Sequence, residues 1–274
     1  AQTITASNVP VNRDSATQNV TQFRIRDMAG LTGTSPVYNV FVDSTPPSNP
    51  AGLSSTSHTV GAWSDDTSIN FTWTHTGTDN VSGVDGYSYR LTQNATDTPD
   101  QIIDHDAGTD YLPVTQYATA DGDWYFHLMT RDMASNWSAP AHLGPYRIDT
   151  ADPTTPTLDY SSHVVGGWSN DNTIYARWNA SDGGSLEGYS FVWDDHPSLY
   201  VDVLTDTVNN YVTSGALADD QWYLHVRAVD RAGNAGGIAH FGPFGVDTAD
   251  PYSCWINAPA TCGSSCTIEW SYYD

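Results

Sequence analysis

Aspartate recurs at matched points along this sequence, and the pattern points first to cation chemistry. Asp43, Asp149 and Asp247 each follow Val or Ile and precede Ser or Thr, and Asp152 and Asp250 lie three residues beyond the last two. Asp27, Asp132 and Asp230 each begin an Asp-x-Ala-[Gly/Ser] turn. A hard divalent cation takes six to eight oxygens from flexible donors, so carboxylates gathered at junctions suit calcium. The expected ligands are Asp43, Asp132, Asp149, Asp152, Asp230, Asp247 and Asp250. A plainer reading has the same aspartates capping turns, because their side chains accept nearby backbone N–H groups. No motif requires a cofactor, and Ca2+ is the one ion the pattern favours.

Other reactive residues suggest less. Nine histidines include three pairs that recur one repeat apart, His58 with His163, His127 with His225, and His142 with His240. Members of a pair are too distant to meet, and no His-x-His or His-x-x-x-His spacing of a metal site occurs, so strand and turn roles are expected. Cys254, Cys262 and Cys266 are the only cysteines. They are disulfide candidates with one sulfur left over, free or paired outside this segment. There is no Gly-x-Ser-x-Gly elbow and no phosphate-cradling glycine loop. The acid pairs Asp65-Asp66, Asp194-Asp195 and Asp219-Asp220 read as turn residues rather than glycosidase carboxylates. The expectation is a protein that is not an enzyme. Trp63 and Trp168 sit beside glycine and polar turn residues. They either cap a sandwich end or stack on sugar rings. Asn19, Asn70, Asn80, Asn94, Asn136 and Asn179 begin Asn-x-Ser/Thr sequons and are glycosylation candidates.

Charge narrows the partners. The 32 acidic residues face nine basic ones, all Arg, for a net charge of −23. Such a surface repels nucleic-acid phosphates and anionic lipid heads, so neither nucleic-acid binding nor membrane insertion is expected. Neighbouring repeats or identical subunits, and cell-surface glycans, remain as partner classes. The absence of lysine excludes Lys–Asn isopeptide staples and lysine-nucleophile chemistry.

These residues are carried by a repeat. Ser57-His58-Thr59-Val60-Gly61-Ala62-Trp63-Ser64 returns as Ser162-His163-Val164-Val165-Gly166-Gly167-Trp168-Ser169, and Gly86-Tyr87-Ser88-Tyr89 as Gly188-Tyr189-Ser190-Phe191. Trp124-Tyr125-Phe126-His127 returns as Trp222-Tyr223-Leu224-His225, and Gly144-Pro145-Tyr146 as Gly242-Pro243-Phe244. Within each copy apolar residues alternate with polar ones, as at Ile69, Phe71 and Trp73, or Trp222, Leu224 and Val226. That period of two is a strand with one buried face. The fold expected is all-β, tandem immunoglobulin-like β-sandwich domains, with complete repeats at 47–151 and 152–249. Residues 1–46 read as the end of an incomplete repeat and 250–274 as the start of another. Completion is expected within a longer parent chain, because the two pieces together fall short of one repeat; completion by the next subunit is the alternative.

The closing pattern Trp-Tyr-x-His, Asp-x-Ala-Gly-Asn and Gly-Pro-[Tyr/Phe]-x-[Ile/Val]-Asp-Thr-x-x-Pro resembles bacterial and archaeal immunoglobulin-like, or fibronectin type III-like, tandem repeats of large extracellular surface proteins. The first complete copy departs at Ser135, where the pattern has Gly, which bears on the turn there. The resemblance implies an extracellular or cell-surface stalk, adhesin shaft or filament. Glycan-binding accessory modules of a secreted enzyme or adhesin are the second implied role.

Overall fold

The computed structural model describes residues 14–74, 79–108, 112–184, 186–251, 253–257 and 268–273. It divides into two compact units, Ala1–Asp149 and Thr150–Asp274. The described residues contain strands and no helix, as the period-two patterning requires.

The first unit begins with β1 (Ser15–Thr21), β2 (Arg24–Arg26), β3 (Thr32–Thr34) and β4 (Tyr38–Val42), in which β1 pairs β4 and β2 pairs β3. Its sandwich follows as β5 (Ser54–Ser55), β6 (Trp63–Ser64), β7 (Ser68–Thr72), β8 (Val84–Thr92), β9 (His105–Asp106), β10 (Val114–Tyr117), β11 (Gly122–Asp132) and β12 (Ala141–Ile148). One sheet has the order β10-β7-β5, the other β6-β12-β11-β8-β9. The alternation along β7 is realised: Ile69 and Phe71 are fully buried while their neighbours are not. Phe71 reaches the facing sheet and stacks on Phe126, ring centroids 3.9 Å apart.

The second unit repeats this plan with β13 (Thr157–Ser161), β14 (Trp168–Ser169), β15 (Tyr175–Asn179), β16 (Leu186–Asp194), β17 (Tyr211–Thr213), β18 (Asp220–Asp230) and β19 (Ala239–Val246), followed by the hairpin of β20 (Ser253–Asn257) and β21 (Glu269–Tyr273). Its sheets are β13-β15-β17 and β14-β19-β18-β16. Ile174, Ala176 and Trp178 from one sheet close on Leu224, Val226 and Phe244 from the other. Each unit is thus an immunoglobulin-like two-layer sandwich with its own apolar cluster, and no residue belongs to both clusters.

Local details recur with the sequence. The ladder of β11 with β12 is interrupted between Trp124 and Phe126, and that of β18 with β19 between Trp222 and Leu224. Opposite each interruption stands a glycine, Gly144 or Gly242, whose added Cβ would meet a tryptophan carbonyl at 2.7 or 2.8 Å. The turn after β11 departs from the glycine pattern in sequence alone: Ser135 adopts a left-handed φ of 73°, matching Gly233 at 100° and Gly30 at 85°. Arg131 Nη2 donates to Ser135 Oγ at 2.6 Å, a contact glycine cannot make.

Candidate functional site

The turn aspartates owe their position to the ends of strands. Asp132, fully buried, terminates β11. Its Oδ1 accepts the Asn136 amide at 2.8 Å and its Oδ2 accepts Asn136 Nδ2 at 2.8 Å. Asp230 holds Asn234 in the same way, both at 2.8 Å, and takes the Gly233 amide as well. Here the turn-capping reading and the ligand reading coincide, because the cap fixes the carboxylate.

In the first unit Asp43 and Asp132 come together, joined by Asp79, with one carboxylate oxygen from each lying within 4.8 Å of the others. Asp43, just past β4, accepts the Ser82 amide at 3.1 Å and the Thr45 amide at 3.0 Å. Asp79 sits in the approach to β8, where its Oδ2 accepts Ser82 N at 2.8 Å and also the Gly83 amide. Burial opposes the charge on Asp79. The amides of Gly83, Val81 and Ser82, with the Ser82 hydroxyl, outweigh it and hold this carboxyl below its ordinary value. Beside the three acids lies an open cleft of about 520 Å³ whose walls include Phe41, Asp43, Ser82 and Met133.

Three carboxylates this close repel one another by roughly 1–3 kcal/mol per pair at surface-like to water-like dielectric. A calcium ion bonds oxygens at about 2.3–2.6 Å, so oxygens on opposite sides of it stand about 5 Å apart. The spacing and the all-oxygen donor set fit such an ion. Sequence reasoning missed Asp79, although Thr78-Asp79 recurs as Ser181-Asp182 at the matching place before Gly188.

The remaining calcium candidates are Asp149, Asp152, Asp247 and Asp250. Asp149 is buried and its amide donates to Ser64 O at 3.0 Å. Asp247 accepts the Ala249 amide at 3.1 Å. Asp152 and Asp250 are exposed.

Of the tryptophans, Trp168 is 62% exposed and lies against Gly245, where an added Cβ would strike its ring. Trp63 is half-buried with the Arg147 guanidinium 5.6 Å from its ring centre. Asn80, Asn94 and Asn179 are exposed, Asn70 accepts the Thr115 hydroxyl, and Asn19 lies on β1. Asn136 commits its Nδ2 to Asp132 and to the Asp43 carbonyl. Cys254 lies on β20; Cys262 and Cys266 fall outside the described residues.

The histidines hold a surprise for spacing arguments. His127 on β11 faces His142 on β12, Nδ1 to Nδ1 at 2.7 Å, and His225 on β18 faces His240 on β19 at 2.5 Å. Each contact needs one ring to donate and the other to accept. Thr92 Oγ1 lies 3.0 Å from the free nitrogen of His127, and Asp194 Oδ1 lies 3.2 Å from that of His225. Burial first, then the neighbouring ring, holds His127 and His240 below the ordinary imidazole value; Asp97 opposes this at His127 and Arg90 reinforces it. His58 and His163 clasp loops, each bonding a serine hydroxyl and a backbone carbonyl.

A pH dependence follows. The unfolded chain binds these protons near pH ~6.5 and the folded chain only below it, so stability is complete above ~6.5 and declines as pH falls toward the folded values. Thermal melts from pH 7.5 to 5 should show a falling midpoint, with a shallower fall in a His127→Leu variant. Parallel profiles for the two proteins would count against the assignment. Asp66, Asp171 and Asp219, held low chiefly by serine or threonine donors, lose their contribution only below about pH 4.

No family model and no curated protein matches the sequence. Among solved structures the chain is similar to the fibronectin(III)-like modules of Clostridium thermocellum CbhA, with 14% identity over 72% of this chain and 95% of that one and a TM-score of 0.37. It is also similar to the FN1-FN3 domains of chicken CNTN1, with 12% identity over 82% and 77% and a TM-score of 0.34. At these scores the strand order and register, not the likeness, define the fold.

Proposed function

We propose that the chain is a load-bearing segment of an extracellular or cell-surface array, such as a stalk, adhesin shaft or filament, built from repeated sandwiches. One observation carries the reading. In each sandwich a strand near its beginning runs parallel to its last strand and is bonded to it, β6 to β12 and β14 to β19. Gly61 N donates to Pro145 O at 2.8 Å, Arg147 N to Ala62 O at 3.3 Å and Asp149 N to Ser64 O at 3.0 Å. The second unit repeats all three: Gly166 to Pro243 at 2.7 Å, Gly245 to Gly167 at 2.9 Å and Asp247 to Ser169 at 2.9 Å. Tension applied at the two ends of a sandwich loads these bonds in shear, so they must break together rather than one by one.

Single-molecule stretching tests it. Each sandwich of roughly 100 residues should open at its own force peak and release roughly 30 nm of chain, since an extended residue spans ~3.5 Å. Extension without resistance would remove the load-bearing role.

The acid cluster of Asp43, Asp79 and Asp132 supports a calcium ion as part of the same design, stiffening the turns that meet there. Calcium at a hundred times its dissociation constant would stabilise the unit by about 2.7 kcal/mol. Calorimetry should show a midpoint several degrees higher in calcium than in chelator for the parent protein, and no such difference in Asp79→Asn. An unchanged midpoint in the parent would dismiss the ion while leaving the stretching result untouched.

A further inference from the structure

We infer that the outer face of the three-stranded sheet of the second unit is a binding strip for a neutral polysaccharide, formed by Tyr160, Tyr175 and Tyr211. The alternation of β15 turns Ala176 and Trp178 into the core and leaves Tyr175, Arg177 and Asn179 on the opposite face. Register then assembles the strip. Tyr160 of β13 and Tyr211 of β17 both pair with Arg177, one from each side. Tyr175, two residues along, lies 5.9 Å from the Tyr160 ring and 5.8 Å from the Tyr211 ring, centre to centre. Tyr160 is 52% and Tyr211 46% exposed. Three tyrosines on three neighbouring strands span about 10 Å, two strand spacings.

The first unit serves as an internal control for what the fold itself demands. With Trp73 aligned to Trp178, the corresponding face carries Asn70 for Tyr175 and Thr72 for Arg177. Ser54 pairs with Thr72 where Tyr160 pairs with Arg177. Thr115 pairs with Asn70 where Thr213 pairs with Tyr175, which puts Pro113 in the place of Tyr211. The same sandwich therefore closes without an aromatic residue at any of these three positions, its exposed Tyr117 standing elsewhere on the face, and the aromatic strip answers no requirement of packing. Contiguous exposed aromatic surface of that kind marks a place of contact.

Charge selects the partner. Arg177 Nε lies 2.6 Å from Asp159 Oδ2, so the one cation in the strip is neutralised. The chain carries −23 overall and repels polyanions. What remains is an uncharged ligand with C–H faces to lie on the rings and hydroxyls to meet the tyrosine hydroxyls and the Arg177–Asp159 pair, which describes a chain of neutral sugars. An open strip, unlike a pocket, accommodates an extended polymer. The inference goes beyond the load-bearing reading and survives or fails independently of it.

The test uses the whole 274-residue chain with neutral β-glucan, mannan and xylan oligosaccharides by calorimetric titration, and insoluble cellulose and chitin by sedimentation. Saturable binding to at least one neutral glycan is expected, unaltered between low and high salt. The variant Tyr160→Ser/Tyr175→Asn/Tyr211→Thr puts the first unit's Ser and Asn on the strip, with Thr, a strand-compatible residue, at the position where that unit has Pro113, so it should fold with an unchanged midpoint and bind at least tenfold more weakly. Trp168→Ala should bind as the parent does. Equal binding by the triple variant, no binding to any of these glycans, or binding lost with salt would each overturn the proposal. So would binding to a proline-rich peptide in place of sugar.

Discussion

Replacing Trp178 with alanine is expected to remove about 3–5 kcal/mol of the second sandwich's stability. The indole is fully buried on β15, packs edge-on to Tyr189 at 5.4 Å, and belongs to a cluster that takes members from both sheets. Removing a buried tryptophan side chain costs about 3–5 kcal/mol, a large share of the 5–15 kcal/mol that holds a typical domain. Its backbone N–H still bonds Asn210 O at 3.0 Å, so the loss is one of packing rather than of the ladder. Amide exchange should show protection sharply reduced at Leu224, Val226 and Phe244 and retained at Ile69, Phe71 and Phe126. Retained protection in both sets would mean that the second core is not held by this residue.

Gly188→Ala is the second large effect, through crowding instead of a void. A methyl on Gly188 would overlap the Thr205 side chain and the Thr207 carbonyl. That carbonyl accepts the Tyr189 amide at 2.8 Å, so it cannot retreat without breaking the contact that seats the 205–207 segment against β16. Gly86 faces the His105 carbonyl in the same way, less tightly, at 2.8 Å for the added carbon. Overpacking against backbone of this kind costs about 3 kcal/mol. Chemical denaturation should show a midpoint well below that of the parent with an unchanged slope. A shift under about 0.5 kcal/mol, the range of ordinary surface substitutions, would show that the segment can move aside.

How much of this the sequence disclosed depended on whether the relevant partner was near or far along the chain. Ile69, Phe71 and Trp73 announce their burial by simple alternation, and so do Ile174, Ala176 and Trp178, because one strand face suffices to decide it. The two copies also announce their common turns, since Asp-x-Ala-[Gly/Ser]-Asn is self-contained. The meeting of His127 with His142 was out of reach: it depends on the register of a hairpin that shifts between Trp124 and Phe126. Asp79 was hidden for a related reason, standing 36 residues from Asp43 and 53 from Asp132 in sequence while sharing a turn region with both. The tyrosine strip is the clearest case. Each tyrosine lies on a different strand, and only the order β13-β15-β17 makes them neighbours.

That the two apolar clusters share no member bears on how such a chain changes over generations. A sandwich whose interior is complete can be duplicated or deleted in the gene without baring the interior of any other copy. Length is thereby free to vary in steps of about a hundred residues, while a face such as the tyrosine strip can be altered in one copy and left plain in the next.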